Sequence, residues 1–272
     1  MGMSVNTNVG AMAALQSLNA TSRGLETTQS RINTGLNVAS TKDDSASFTI
    51  AQTLRGDLGG LKAVSSSLST AKSSVDVAVA GAEQISDLVN QMKAKAIEAS
   101  DTGINGDSRA AIGKDFDALK EQINTIIDSS EFNGSNLLKA SGGSVNALQS
   151  TDTTASTLSV ANQDFSAIVT AIGSTFTTAA TAKTMVNTLD TQTTAINGKL
   201  STLGSAARKI DGQSSFVSKL SDVIEAGIGN MVDADLAKES AKLQALQVKQ
   251  QLGVQALSIA NQAPQVITSL FR

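Results

Sequence analysis

The stretch Leu189–Met231, LDTQTTAINGKLSTLGSAARKIDGQSSFVSKLSDVIEAGIGNM, decides the fold. Its seam positions are Leu189, Thr193, Ile196, Leu200, Leu203, Ala207, Ile210, Ser214, Val217, Ser221, Ile224, Ile228 and Met231, and ten of these thirteen are apolar. A spacing of alternating three and four residues, sustained over more than five heptads, predicts a long helix with one narrow apolar seam. Such a helix needs a partner of similar length.

The partner lies upstream. Ser40-Thr41-Lys42-Asp43-Asp44 reads as a helix start, with polar caps and acids in the first turn. Ile50, Leu54, Leu58, Leu61, Leu68, Val75, Val79, Ala82, Leu88 and Met92 then trace a stripe to about Ala99. At ~1.5 Å per residue such a helix is on the order of 80 Å long. Gly56, Gly59, Gly60 and Gly81 fall inside it, each costing ~1 kcal/mol against alanine unless packing offsets it. Asp101–Asp107 reads as a turn, and Ile112, Phe116, Leu119, Ile123 and Ile126 predict a further helix over 107–128, closed by Phe132-Asn133-Gly134. Before all of this, Val5, Val9, Met12, Leu18, Leu25 and Ile32 mark an N-terminal helix that breaks at Thr34-Gly35.

After Asn230–Asp235, read as a joint, a last helix runs through Leu236, Leu243, Leu246, Leu257 and Ala260, with Val248, Leu252 and Ile259 on a second face. A helix apolar on two faces must be covered on both sides. One chain has little left for that, so neighbouring subunits are expected to supply the cover. Residues 140–182 differ: Ser, Thr, Gly and Ala dominate, charge nearly vanishes, and Thr157-Leu158-Ser159-Val160 suggests a small β-hairpin or loop. The fold expected is mainly α, a long antiparallel helical bundle of coiled-coil type with that small insert.

Composition narrows the function. Histidine, cysteine, tryptophan and tyrosine are absent, so the usual near-neutral acid–base group and the strongest nucleophile are both missing. No catalytic, cofactor or metal site is therefore expected; an all-oxygen metal site would need an acid cluster that the spacing does not supply. Asp43-Asp44 and Asp233/Asp235 read as helix caps rather than paired catalytic carboxylates, and Gly59-Gly60 lacks the Lys-Ser/Thr of a phosphate loop. A net charge of −3 with no basic run leaves no footprint for nucleic acid. No apolar stretch is long enough for a membrane span, and the N-terminus shows no basic and apolar regions of a secretory signal. The Ser/Thr-rich 141–182 segment reads as a solvated loop, with surface O-glycosylation as the functional alternative.

The two ends resemble bacterial flagellin. The N-terminal side is similar in Val5-Asn6-Thr7-Asn8, in Arg31-Ile32-Asn33-Thr34-Gly35-Leu36-Asn37-Val38-Ala39-Ser40, in Lys42-Asp43-Asp44-Ser45-Ala46, and in Glu131-Phe132-Asn133-Gly134 with Leu137-Leu138. The C-terminal side is similar in Asp233-Ala234-Asp235-Leu236-Ala237-Lys238-Glu239-Ser240 and from Gln255 through Asn261-Gln262-Ala263-Pro264-Gln265 to Leu270-Phe271-Arg272. The short middle segment and the Lys-Glu-Ser wording look alphaproteobacterial.

The resemblance implies a structural subunit that polymerises into the flagellar filament for swimming motility, secreted unfolded through the flagellar type III apparatus to an extracellular organelle. A hook–filament junction protein of the same architecture is the alternative. It implies an inner-tube domain from 1–40 with 230–272, an outer-tube bundle from 41–140 with 183–229, and a surface insert at 141–182. Subunit contacts would fall to Val5, Val9, Met12, Leu18, Leu25, Ile32, Leu236, Leu243, Leu246, Val248, Leu252, Leu257, Ile259 and Leu270. The bundle core would be Leu54, Leu61, Leu68, Val75, Leu88, Leu200, Leu203, Ile210, Val217 and Ile224, and Thr153, Thr154, Thr177 and Thr178 are the first glycan acceptors to test. The partners implied are further copies of the chain or paralogous flagellins, a flagellar export chaperone, and hook-associated junction and cap proteins, with no nucleic acid, membrane or cofactor. Flagellins detected by the animal flagellin Toll-like receptor carry Arg-x-Arg-Glu-Leu on the first long helix; Gln91-Met92-Lys93-Ala94-Lys95 stands there instead, which implies weak or no recognition.

Overall fold

One aspartate starts the first long helix. Asp44 Oδ1 accepts from the amides of Ala46 and Ser47, which are N-cap bonds. Asp43 instead closes the turn before it, its Oδ2 accepting from the amides of Ala39 and Ser40 and from the Ser40 hydroxyl. The computed structural model describes residues 7–152, 157–173 and 176–270, with the backbone alone for 263–270. In order it contains α1 (Val9–Thr34), α2 (Ser45–Ala99), α3 (Gly106–Ser129), β1 (Val145–Ala147), β2 (Leu158–Val160), α4 (Ser166–Ala171), α5 (Ala179–Val232) and α6 (Leu236–Leu270). The chain forms two compact units: residues up to Gly56 together with those from Val223, and Asp57–Asp222. Helices α2 and α5 contribute to each.

In the central unit, α2 buries Leu61, Val64, Leu68, Ala71, Val75, Ala78, Ala82, Ile85, Val89, Met92, Ala96 and Ala99. Their separations alternate three and four without a break, which is the a/d seam of a coiled coil. Helix α5 buries Ala182, Leu189, Ile196, Leu203, Ile210 and Val217, one position per heptad. The intervening d positions, Val186, Thr193, Leu200, Ala207 and Ser214, are half-buried. Lys72 pairs with Asp211 and Lys93 with Asp190. Both pairs are 21 residues apart on each helix, three heptads, so the two helices run antiparallel in one constant register.

Arg109 ends α2. Its guanidinium is buried and donates from Nε to the Ala99 carbonyl at 2.9 Å and from Nη2 to the Asp101 and Ile104 carbonyls at 2.8 and 3.3 Å. A cation thus satisfies the last carbonyl of α2 and two carbonyls of the turn that follows it. Asn105 caps α3, accepting from Ser108 N at 2.8 Å, and α3 buries Ile112, Phe116, Ile123 and Ile127. Asn133 (φ 49°) and Gly134 (φ 79°) then form a two-residue hairpin turn closed by reciprocal Phe132–Ser135 bonds of 3.0 Å, the pattern of a type I′ turn. Gly81 of α2 sits under this loop: a β-carbon there would lie 2.4 Å from Ser130 Oγ.

The polar middle segment has its own small core. β1 and β2 pair antiparallel with Asn146 opposite Ser159. Phe165, Ile168, Val169, Ile172 and Phe176 are buried, and the Phe176 ring meets Phe116 edge-on at 5.1 Å. Among the described residues of 141–182 the small β-hairpin expected from the sequence forms, and α4 packs against α3, so this part is not a solvated loop.

In the terminal unit, Gly35 (φ 71°) ends α1 by the left-handed cap, its amide donating to Arg31 O at 2.9 Å. Leu36 bridges Asp233, Asn37 N donates to Val232 O at 2.7 Å, and Ala234 N donates to Gly35 O at 2.8 Å. The two stretches that most resemble flagellin, one from each end of the chain, therefore meet at this joint. Beneath it Val38, Ala51, Ile228 and Val232 form a cluster with Leu36, Phe48, Leu54, Ile224 and Met231 against it. Ile50, placed in the apolar stripe by the sequence, is 51% exposed, and Ala51 takes the buried place. Ile50 lies two heptads before Val64 and keeps the phase of the seam, so the inward face shifts by one residue at this end of α2, where Ala51 packs with Val38, Ile228 and Val232.

Candidate assembly surface

Asp235 starts α6: its Oδ1 accepts from the amides of Ala237 and Lys238 at 3.0 and 3.1 Å. At the far end of the pair, Asn8 caps α1 by accepting from Ala11 N at 3.0 Å. The two helices lie antiparallel. Asn8 Nδ2 donates to the Ala260 carbonyl at 2.7 Å. A β-carbon at Gly253 would lie 3.9 Å from that of Leu18, and one at Gly24 would lie 3.4 Å from Leu246 Cδ1. Arg31 pairs with Glu239 at 3.4 Å. Glycines at Gly24 and Gly253 let the backbones approach.

The seam has heptad spacing. On α1 it comprises Ala11, Ala14, Leu18, Thr21, Leu25, Thr28 and Ile32; on α6 it comprises Glu239, Leu243, Leu246, Gly253, Leu257 and Ala260. Only Thr28 and Glu239 are fully buried, the rest half-buried. Outside the seam stand Val9 (73% exposed), Met12, Leu15, Leu236, Val248, Leu252, Val254 and Ile259 (70%). This is a run of large apolar side chains in water, far more than scattered surface exposure.

The assembly residues read from the sequence thus separate into two sets. Leu18, Leu25, Ile32, Leu243, Leu246 and Leu257 line the seam, whereas Val9, Met12, Leu236, Val248, Leu252 and Ile259 face outward. Val5 lies outside the described residues, and of Leu270 only the backbone is described. Leu15 and Val254 are exposed as well and are not among the residues read from the sequence; Leu15 continues the phase of Val9 and Met12, whereas Val254 lies beside Leu236 on the flank of α6, away from Val248, Leu252 and Ile259. Of the bundle positions, Leu61, Leu68, Val75, Leu88, Leu203, Ile210 and Val217 are buried, and Leu54, Leu200 and Ile224 half-buried. Thr177 and Thr178 are exposed; Thr153 and Thr154 lie outside the described residues.

Of the acids read as caps, Asp44 and Asp235 accept from first-turn amides, whereas Asp43 holds the turn before α2 and Asp233 sits in the joint, bridged to Leu36. Hydrogen bonds from Ser40 hold the Asp43 carboxyl below its usual pKa, and those from Ser47 do the same for Asp44. Among the described residues no group of three or more His, Cys, Asp or Glu could hold a metal ion, and no helix is long and apolar enough to cross a membrane.

Residues 5–143 match the bacterial flagellin N-terminal helical region, and 186–271 match the C-terminal helical region. The chain is 47% identical to flagellin FljK of Caulobacter vibrioides over 99% of its length and 98% of that protein's. It is 36% identical to a flagellin of Brucella melitensis, with 99% of each chain covered. Among solved structures, Bacillus cereus flagellin aligns at TM-score 0.51 and 24% identity over 54% of this chain and 86% of that one. A putative flagellar hook-associated protein of Vibrio parahaemolyticus aligns at TM-score 0.56 and 11% identity, over 70% of this chain and all of that one. At those identities the two structures speak to fold alone. Full-length identity to alphaproteobacterial flagellins and matches at both ends place this chain in the bacterial flagellin family, the polymerising structural subunits of the flagellar filament.

Proposed function

We propose that the two ends of the chain, 1–40 and 230–272, build the inner tube of the filament, that 41–140 with 183–229 forms the outer-tube bundle, and that 141–182 faces outward and is dispensable for assembly. The observation that carries this reading is the outward apolar row of α1 and α6. Each fully buried Val, Leu, Ile or Met contributes ~1.5–3 kcal/mol, so covering the row supplies on the order of 10 kcal/mol. That is enough to offset ordering the terminal helices, which are mobile in the free subunit and fixed on polymerisation. The chain leaves the cell unfolded by the flagellar type III route with an export chaperone, and in the filament it meets junction and cap proteins. It carries no catalytic activity.

Deleting residues from Leu257 onward tests the central step. The expected product is a soluble, folded chain that forms no filaments by negative-stain microscopy. Normal filaments from that truncation would overturn the assignment. Full-length protein that forms long uniform filaments supports the filament subunit over a hook–filament junction protein, which would stop at one position.

The Toll-like receptor reading rests on the chemistry of one helix face. Gln91 is exposed, and Lys95 is held by Asp115 at 3.0 Å and Glu98 at 3.7 Å. A neutral amide and a paired cation stand where the resemblance expects an arginine fork and an apolar anchor. Losing such an anchor costs ~2 kcal/mol, about thirtyfold in affinity. Reporter cells should respond weakly to the disassembled protein; potency equal to that of an enterobacterial flagellin would refute this. Intact mass above the sequence mass would indicate glycosylation, with Thr153, Thr154, Thr177 and Thr178 as the first positions to map.

A further inference from the structure

Neither residues 7–22 nor residues 250–270 contain a charged side chain. That half of the α1–α6 pair meets through glycines, alanines and leucines, contacts that repeat along both helices. A seam of this kind specifies register weakly, because a one-turn slip exchanges one small or aliphatic contact for another. The opposite end of the pair is different. Glu239, the only acid on α6, and Thr28 both occupy seam positions, with exposures of 7% and 0%. Arg31 of α1 reaches the Glu239 Oε1 atom at 3.4 Å, and Lys242 of α6 lies 3.6 Å from Oε2. Thr28 Oγ1, Arg31 Nε and Glu239 Oε2 are buried without a hydrogen-bond partner. A seam position that holds a carboxylate where leucine would pack better is a stability cost, and the attested return on such a cost is specificity of register and partner.

We infer that Glu239, through Thr28 and Arg31, is the register pin of the terminal helix pair and selects α1 over a second α6 as its partner. The contacts Gly10–Ala260, Leu18–Gly253 and Gly24–Leu246 set Glu239 level with Arg31 and Ile32, so a slip of one turn would set it level with Thr28 or with Gly35 and carry its charge away from Arg31. Pairing α6 with another α6 would offer Glu239 no arginine, since α6 has none within 236–270. The inference stands on the helix pair itself and not on which tube that pair builds.

The absence of cysteine from the chain allows a direct test. A β-carbon at Gly253 lies 3.9 Å from that of Leu18, and one at Gly10 lies 3.9 Å from that of Ala260. Both are close to the ~3.8 Å of a disulfide. Full-length chain carrying Leu18→Cys with Gly253→Cys reports the native register, and Leu18→Cys with Ala256→Cys reports a one-turn slip. Each is oxidised under assembly conditions, and the intrachain product is separated from interchain dimer by gel mobility. The native pair should dominate. Glu239→Arg should lower the native-to-slipped ratio by about tenfold or more, and adding Arg31→Glu should restore it. A ratio unchanged by Glu239→Arg overturns the inference, as does failure of the charge swap to rescue. Gly10→Cys with Ala260→Cys is the second reporter: no intrachain product from either native pair overturns the register itself. Filaments are counted separately, so a chain that cross-links natively yet never polymerises leaves the pin standing and refutes the assembly reading.

Discussion

Helix α2 in the central unit and helix α1 in the terminal unit carry the same alternating three–four spacing, yet they end with different burial. All twelve seam positions of α2 from Leu61 to Ala99 are buried. On α1 Thr28 alone is buried, and apolar side chains such as Val9 and Met12 stand outside the seam in water. The difference is one of available neighbours. Within the central unit, α3, α4, α5 and the small sheet supply the cover for a complete core. In the terminal pair two helices touch along one line, which covers less than half of each surface. The same sequence period therefore builds a finished core in one place and a surface requiring further copies in the other.

The largest expected effect comes from breaking the finished core. Leu203→Asp or Ile210→Asp places a carboxylate at a position with 0% exposure. The cost is at least ~3 kcal/mol, which lowers the melting temperature by roughly 6–12 °C at ~2–4 °C per kcal/mol. Thermal circular dichroism checks this; an unchanged melting curve would mean these residues are not core.

The same substitution at the unfinished surface should separate the two properties. Ile259→Asp, at 70% exposure, is expected to leave subunit melting within ~0.5 kcal/mol of the parent while abolishing filaments. If Ile259→Asp destabilises the isolated subunit as Leu203→Asp does, the contrast between the units collapses. If filaments form normally, the outward row is not the subunit contact.

Acid sharpens the comparison further, because the terminal seam contains a carboxylate and the α2 seam contains none. Burial by itself pushes the Glu239 carboxyl up; the groups that outweigh it include the Lys242 and Arg31 cations, so the pKa falls below the ordinary 4.5. A folded pKa below the unfolded one means that Glu239 binds protons more weakly in the folded chain. Its contribution is present above about pH 4.5 and is lost as pH falls through the folded value. Oxidation of the Leu18→Cys, Gly253→Cys chain with a pH-independent oxidant should therefore favour the native cross-link at pH 6 and lose that preference progressively below pH 4.5. Glu239→Gln should flatten the dependence, and an equally steep loss in that variant would assign the acid response to another group.

Much of this contrast is legible in the sequence, and what is not has physical causes. Long apolar periods from Leu189 to Met231 and from Ile50 to Met92 predict both long helices; of the acids read as caps, Asp44 and Asp235 serve as caps, while Asp43 and Asp233 hold the turn and the joint instead. Alanine is a weak hydrophobic marker, so Ala71, Ala78 and Ala96 pass unnoticed although each is buried, and larger residues such as Leu58 and Val79, half-buried, draw the stripe one residue off phase. Thr28 and Glu239 occupy seam positions but are polar, so a hydrophobic pattern does not register them. Arg109 is invisible for another reason: the carbonyls it satisfies come together only once α2 has ended. In the middle segment Phe165, Ile168, Val169, Ile172 and Phe176 are too few and too irregularly placed to show a period, and composition alone suggests a loop.

The smallest effect concerns the start of α5, where the middle segment meets the central bundle. Thr178 and Thr181 cap one another: Thr178 N donates to Thr181 Oγ1 at 3.0 Å, and Thr181 N donates to Thr178 Oγ1 at 3.2 Å. These bonds satisfy amides that the first turn leaves open. Thr178→Ala should cost ~1 kcal/mol, about 2–4 °C in melting temperature, because α5 draws most of its stability from the seam positions Leu189 to Val217 rather than from its cap. Thr178→Ser keeps the hydroxyl and should recover most of the loss. The cap also bears on modification. The Thr178 oxygen is already engaged by a backbone amide, so a glycan there must be accommodated around the cap, whereas Thr177 takes no part in that pair of bonds. If mass mapping finds a sugar on this stretch, Thr177 is the expected carrier. A glycan on Thr178 in a protein that melts as the unmodified chain does would show that the cap contributes less than this geometry implies.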